Sequence, residues 1–223
     1  MKKYKKSFKS KIKNLLESKH TKNLIKGIYA GVMIGIGGIV YLSLDNKIAG
    51  SFFFSIGLLT ICMYGMNLYT GKIGYILINK KDYLIELLLS LVGNLIGTFT
   101  VGKMMLYTKF ATLQEKALIL SNQKLDDSLI SIFILSIFCG ILMYIAVNNY
   151  KKINNEIGKY AGIFMCVMVF ILCGFEHCVA NMVYFTVAEV YSAKAFLYLL
   201  IMILGNSVGS IFIAAFYNMF YKN

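Results

Sequence analysis

The string Gly93-Asn94-Leu95-Ile96-Gly97 returns half a chain later as Gly205-Asn206-Ser207-Val208-Gly209. Each copy lies in the third apolar stretch of its half, so the chain reads as two related halves, about 24–108 and about 128–220. Three crossings per half is an odd number, which forces the halves into opposite orientations. Channels and transporters built this way place their permeation site near the bilayer midplane, between broken helices. The expected fold is all-α, with six transmembrane helices in two inverted three-helix repeats.

Composition agrees with a membrane domain. The chain has 223 residues, 58% of them hydrophobic, and a mean hydropathy of +0.69. Several stretches reach the roughly 20 residues that cross a bilayer core. Spans are expected at about 24–44, 48–79, 83–108, 128–149, 157–189 and 195–220. The second and fifth are too long for one crossing, and each carries a polar, glycine-marked interruption. One is Met66-Asn67-Leu68-Tyr69-Thr70-Gly71-Lys72, the other Gly174-Phe175-Glu176-His177-Cys178-Val179-Ala180-Asn181. Both read as helices broken at membrane depth, and the chain has no proline to share that task. Non-helical backbone is tolerated there only where protein or a wet cavity satisfies it, so two breaks imply a lined pathway. Half-helix N-termini carry partial positive charge, which favours anions along such a path.

The charge is all of one kind. Every one of the 23 basic residues is lysine, against 10 acidic ones, for a formal +13. Ten lysines precede or open the first span, from Lys2 to Lys26. Residues 1–22 are expected to form a basic amphipathic segment on the membrane surface, or else a basic tail, with residues 23–223 as the channel domain. Anionic lipid is the natural partner of that segment, not nucleic acid. Sixteen lysines fall on the side of the N-terminus and five on the other. By the positive-inside rule both termini are cytoplasmic, in a multi-pass protein of the cell membrane. The N-terminus is too charged to hold the apolar core of a signal peptide. The five cysteines lie in apolar runs without C-x-x-C spacing, so neither a disulfide framework nor a zinc site is expected. No nucleophile–base pair, metal cluster or cofactor pattern points to an enzyme.

Ionisable residues inside spans are costly and usually functional. Here they are few: Glu176 and His177 in the second break, Lys72 at the end of the first, and Lys103 near a helix end. Imidazole titrates close to neutrality. His177 is therefore the residue that could pass a proton, directly or through its field, to a weak-acid anion at the narrowest point. The neutral acid would then cross the apolar zone without the cost of burying a charge. Glu176 suits a structural role, capping free N–H groups beside the break. Asn94 and Asn206 have two readings, as packing amides between close helices or, for Asn206, as a pore group that bonds the permeant.

The string Gly174-Phe175-Glu176-His177, with Val179-Ala180-Asn181-Met182 after it, resembles the signature of the formate/nitrite transporter family. The Leu68-Tyr69-Thr70 break and both G-N-x-x-G motifs resemble it too, in order, from about Lys22 to the C-terminus. The resemblance implies an aquaporin-like six-helix protomer, with helices 2 and 5 broken, assembled as a homopentamer with one pore per protomer. It implies small monovalent anions as cargo: formate, nitrite, lactate or hydrosulfide. Carried over by position, His177 is the central pore histidine, Thr70 its hydrogen-bonding threonine and Asn206 the pore asparagine. Phe54, Leu58, Leu68 and Phe170 form two apolar constrictions. Lys124 and Lys159, with Lys22 and Lys72, draw anions into the vestibules. Glu176, Asn181 and Asn94 support the breaks.

There are departures. Cys178 stands where many members have serine, and Asn67 where an acidic residue often stands. Tyr69 replaces a common phenylalanine, and Gly140 falls where formate channels often have asparagine. With Lys72, these changes turn the resemblance towards the hydrosulfide-conducting branch. Two other functions stay in view: an aquaporin-like pore for small neutral solutes, and a membrane scaffold without transport. The missing proline speaks against the first, because such pores use paired N-P-A boxes.

Overall fold

A computed structural model describes residues 18–221, and the regular structure in that range is all helical. The expected surface segment at 1–22 falls mostly outside the described residues. Lys22 itself lies within the first long helix, α1 (Lys19–Ser43). There follow α2 (Lys47–Tyr64), α3 (Tyr69–Lys72), a 3-10 turn at Ile73–Ile78, and α4 (Tyr83–Leu106). A 3-10 turn at Lys109–Thr112 and α5 (Leu113–Leu125) connect to α6 (Leu129–Lys152). The chain closes with α7 (Glu156–Leu172), α8 (Cys178–Val187) and α9 (Ala193–Tyr221). Helices α1, α2, α4, α6 and α9 are each long and apolar enough to cross a membrane, and α8 is a shorter apolar helix.

The helix starts obey local chemistry. Ser18, Asn46, Ser128 and Asn155 each accept a backbone N–H of the first turn, as short polar N-caps do. The helix ends at the two breaks are also alike. Gly65 and Gly174 adopt left-handed backbone, with φ of 60° and 69°. The N–H of Met66 bonds Ile61 O, and that of Phe175 bonds Phe170 O. This is the Schellman ending, which only glycine enters without strain. The sequence reading placed the first break at Met66–Lys72; the residue that stops the helix is the glycine just before it.

The G-N-x-x-G glycines seat α1 on α4 and α6 on α9, the two most extensive helix contacts in the molecule. A Cβ on Gly93 would meet Leu24 O at 2.6 Å, and one on Gly205 would meet Phe133 O at the same distance. Gly97 and Gly209 lie tighter still, against the carbonyls of Ile28 and Ile137. Without a hydrophobic drive between helices in lipid, such close backbone approach is what holds a pair together. Between these pairs lies α8, every residue of which is buried. Large apolar side chains such as Phe52, Met63, Phe99, Phe212 and Phe216 face outward, as expected where the surroundings are hydrocarbon.

Candidate functional site: two braced breaks and the contact between them

Four residues separate α2 from α3, and five separate α7 from α8. Their backbone groups need partners, because burial without them costs several kcal/mol each. One asparagine supplies them in each half. The Asn94 Nδ2 donates to Gly27 O at 2.8 Å and Asn67 O at 2.9 Å, while its Oδ1 accepts from Tyr69 N–H at 2.9 Å. The Asn206 Nδ2 donates to Ser136 O at 2.8 Å and Glu176 O at 2.7 Å, while its Oδ1 accepts from Cys178 N–H at 2.9 Å. Outer helices complete the job: Asn67 N–H donates to Lys26 O, and Glu176 N–H to Leu135 O. Both asparagines are wholly buried. Of the two readings of Asn206, the geometry shows the packing amide, with both N–H groups committed to protein carbonyls.

A hydrogen bond joins the two breaks. Thr70 Oγ1 lies 2.8 Å from His177 Nε2. His177 is the N-cap of α8, and its Nδ1 accepts the N–H of Ala180 at 3.0 Å. That bond settles the tautomer: Nδ1 carries the lone pair, so Nε2 holds the proton and donates to Thr70. An imidazolium would have to give up the Ala180 bond, since both nitrogens then donate. The Thr70 hydroxyl has no acceptor among the described residues, which leaves its proton available. Capping of α8 was expected from Glu176. It falls to His177 because an N-cap side chain, not its predecessor's, reaches the third N–H of the helix.

Glu176 does something else. Lys124 Nζ lies 2.8 Å from both carboxylate oxygens, and Asn181 Nδ2 donates to one of them at 2.8 Å. The pair is nearly dry, with side-chain exposures of 12% and 5%. Asn181 also donates to His177 O, and its own buried Oδ1 has no partner among the described residues.

The apolar residues assigned to constrictions gather around this contact. Phe54, Leu58, Leu68 and Phe170 are all buried. The Phe54 and Phe170 rings meet edge to face at 5.9 Å, and Phe170 stacks on the His177 ring at 5.5 Å. A cavity of about 350 Å³ reaches inward to Phe170 and His177, with Lys124 and Glu176 on its wall. From the other direction a cavity of about 280 Å³ reaches Leu68, lined also by Lys72 and Lys151. Thr70 is wholly buried and lines neither cavity.

The lysines do not share one fate. Lys72 lies 3.2 Å from Asn67 Oδ1 and 3.7 Å from Glu86, a carboxylate already 2.6 Å from Lys19. Lys159 pairs with Glu156 on its own helix and Lys22 is exposed; neither lines either cavity. Lys103 pairs with Glu189 at 2.5 Å. Three residues escaped the sequence reading. Ser207 meets the Tyr69 hydroxyl at 2.9 Å, and Ser210 donates to Gly140 O at 2.8 Å. Lys151 lies 4.2 Å from the centroid of the Tyr75 ring. Ser207 and Ser210 sit inside or beside the G-N-x-x-G motif, a signal that was present. Lys151 counted only among the loop lysines on the side of the N-terminus.

The chain is similar to several known proteins. The family model described as formate/nitrite transporter matches residues 2–220. An uncharacterised transporter of Bacillus subtilis, YrhG, is 26% identical over 71% of this chain and 68% of its own length. The formate channel BtFdhC of Bacillus thuringiensis is 27% identical over 71% of this chain and 69% of its own. A formate-nitrite transporter of Plasmodium falciparum is 25% identical over 78% and 67%. Among solved structures, a pentameric formate channel with formate bound superposes with a TM-score of 0.78 at 24% identity. It covers 92% of this chain and 98% of that one.

Proposed function

Since the chain belongs to the formate/nitrite transporter family, we propose that it conducts small monovalent weak-acid anions through a pore of its own. In this reading the chain folds as six spans in two inverted, aquaporin-like halves, and the pore runs between the two cavities. The permeant passes the apolar group of Phe54, Leu58, Leu68 and Phe170 and meets the Thr70–His177 contact between them. The observation that carries the reading is that contact: a hydrogen bond that joins the two breaks, at 2.8 Å, among buried apolar side chains.

The hydrogen bonds suggest how the pair works. His177 stays neutral and holds Thr70, whose free hydroxyl proton is the donor offered to the anion. A proton that neutralises the permeant then comes from water in the flanking cavity, not from the ring. Asn94 and Asn206 act as braces. Formate, nitrite and hydrosulfide are the cargo class, with Cys178, Asn67 and Lys72 favouring hydrosulfide. Relatives described as a formate channel and a pentameric formate channel support anion cargo and a homopentamer.

Purified protein in vesicles tests this. Formate, nitrite or hydrosulfide should enter faster than into empty vesicles, and faster as external pH falls. Passage of water or glycerol with none of the three anions would overturn the reading in favour of a neutral-solute pore.

A further inference from the structure

The two cavities on either side of the Thr70–His177 contact, about 350 and about 280 Å³, are unlike in charge. The cavity ending at His177 has four charged residues on its wall, Lys47, Lys124, Asp127 and Glu176, two of each sign. Its most buried lysine is held by both oxygens of Glu176. The cavity ending at Leu68 has two charged residues, Lys72 and Lys151, and no carboxylate. The carboxylate nearest to Lys72, Glu86, lies at 3.7 Å and is shared with Lys19, which is closer to it. Lys151 has no carboxylate within 4 Å among the described residues; its ammonium rests on the Tyr75 ring instead. Low-dielectric walls focus the field of such charges into the space they enclose.

From this we propose that the mouth lined by Lys72 and Lys151 is the anion-concentrating mouth of the channel, and that the mouth lined by Lys124 and Glu176 is electrically balanced. Lys124, one of the four lysines that the family resemblance marks for attracting anions, is neutralised by Glu176, and Lys151 joins Lys72 in the attracting role at the opposite end. The inference rests on the anion-transport reading for its purpose, but the charge asymmetry itself does not require transport. Its consequence is sidedness. An anion saturates the channel at lower concentration from the Lys72 mouth than from the Glu176 mouth, and the difference fades in high salt.

Each mouth contains a cysteine that reports on it. Cys62 lines the Lys72 cavity and Cys173 the Glu176 cavity. In the detergent-solubilised full chain, the labelling rates of these thiols by an anionic and a cationic methanethiosulfonate of similar size are compared by peptide mass spectrometry. At about 10 mM salt the anionic reagent should be preferred at Cys62 by roughly tenfold, with near parity at Cys173; at about 1 M salt the preference should vanish. Lys72→Gln and Lys151→Gln should each lower the ratio at Cys62 several-fold and leave Cys173 unchanged. Glu86→Gln, which frees Lys72, should raise it, a gain that misfolding cannot imitate. Equal ratios at the two cysteines, or a Cys62 preference indifferent to all three substitutions, would overturn the proposal. Because labelling needs no flux, a protein that keeps the Cys62 preference yet passes no anion contradicts the transport reading alone.

Discussion

The two breaks have the same skeleton and different occupants. Each begins at a left-handed glycine, continues with an N–H bonded to an outer-helix carbonyl, and is braced by an asparagine from a G-N-x-x-G motif. At the residue that opens the next helix they part. Leu68 holds that place in the first half, with no side-chain cap, and His177 holds it in the second, capping Ala180. The residue before it is Asn67 in one half and Glu176 in the other. The helix that follows has four residues in the first half and ten in the second. What repeats is the solution to a physical problem, buried backbone that must be satisfied. What differs is the chemistry offered to the permeant.

Removing the braces should have the largest effect, and an equal one in each half. Asn206→Ala removes three buried hydrogen bonds and takes from Glu176 O and the Cys178 N–H, both at the break, the partner the amide supplies, at about 1–3 kcal/mol for each group left unpaired. Asn94→Ala does the same. Both should sharply lower the melting temperature and the yield of folded protein. Should Asn206→Ala melt like the wild type and lose flux alone, the symmetry is broken and the amide serves the permeant.

Next comes the carboxylate that only the second break carries. Lys124→Met leaves the Glu176 carboxylate buried without a counter-ion, and breaking such a pair costs roughly 3–5 kcal/mol. It also puts a negative charge in an anion's path. Adding Glu176→Gln should recover most of the stability and flux, a coupling that a double-mutant cycle measures.

Gly97→Ala and Gly209→Ala probe the helix seats. Each added methyl collides with a backbone carbonyl, of Ile28 or Ile137, and overpacking of this kind costs about 1–3 kcal/mol. Similar losses in both melting curves would sharpen the equivalence of the halves; a loss in one alone would limit it. Thr70→Val should move flux more than stability. It keeps the β-branched shape, removes the acceptor of His177 Nε2, and should cut anion flux about tenfold while costing roughly 1–3 kcal/mol.

Much of this was legible in the residues because glycine and asparagine betray backbone geometry. The G-N-x-x-G recurrence marked both close helix seats, and the polar strings at Met66–Lys72 and Gly174–Asn181 marked where helices stop. Side-chain direction was not legible. That Glu176 would take Lys124 and leave the capping to His177 depends on which way two adjacent residues point. That Lys159 would turn to Glu156, while Lys151 came to line a cavity, depends on helix rotation near a span end, where lysine on either face reads the same. The amide of Asn206 could be assigned to the brace only once Ser136, Glu176 and Cys178 were seen around it.

The central claim is that the permeant passes the place where the two breaks touch. Formate uptake into vesicles carrying His177→Phe measures it, beside a melting curve of the same protein. The substitution removes the Ala180 cap, worth about 0.5–2 kcal/mol, and the bond to Thr70. The expected result is a folded, assembled protein whose uptake falls to nearly that of empty vesicles. Uptake equal to wild type in that protein would contradict the account.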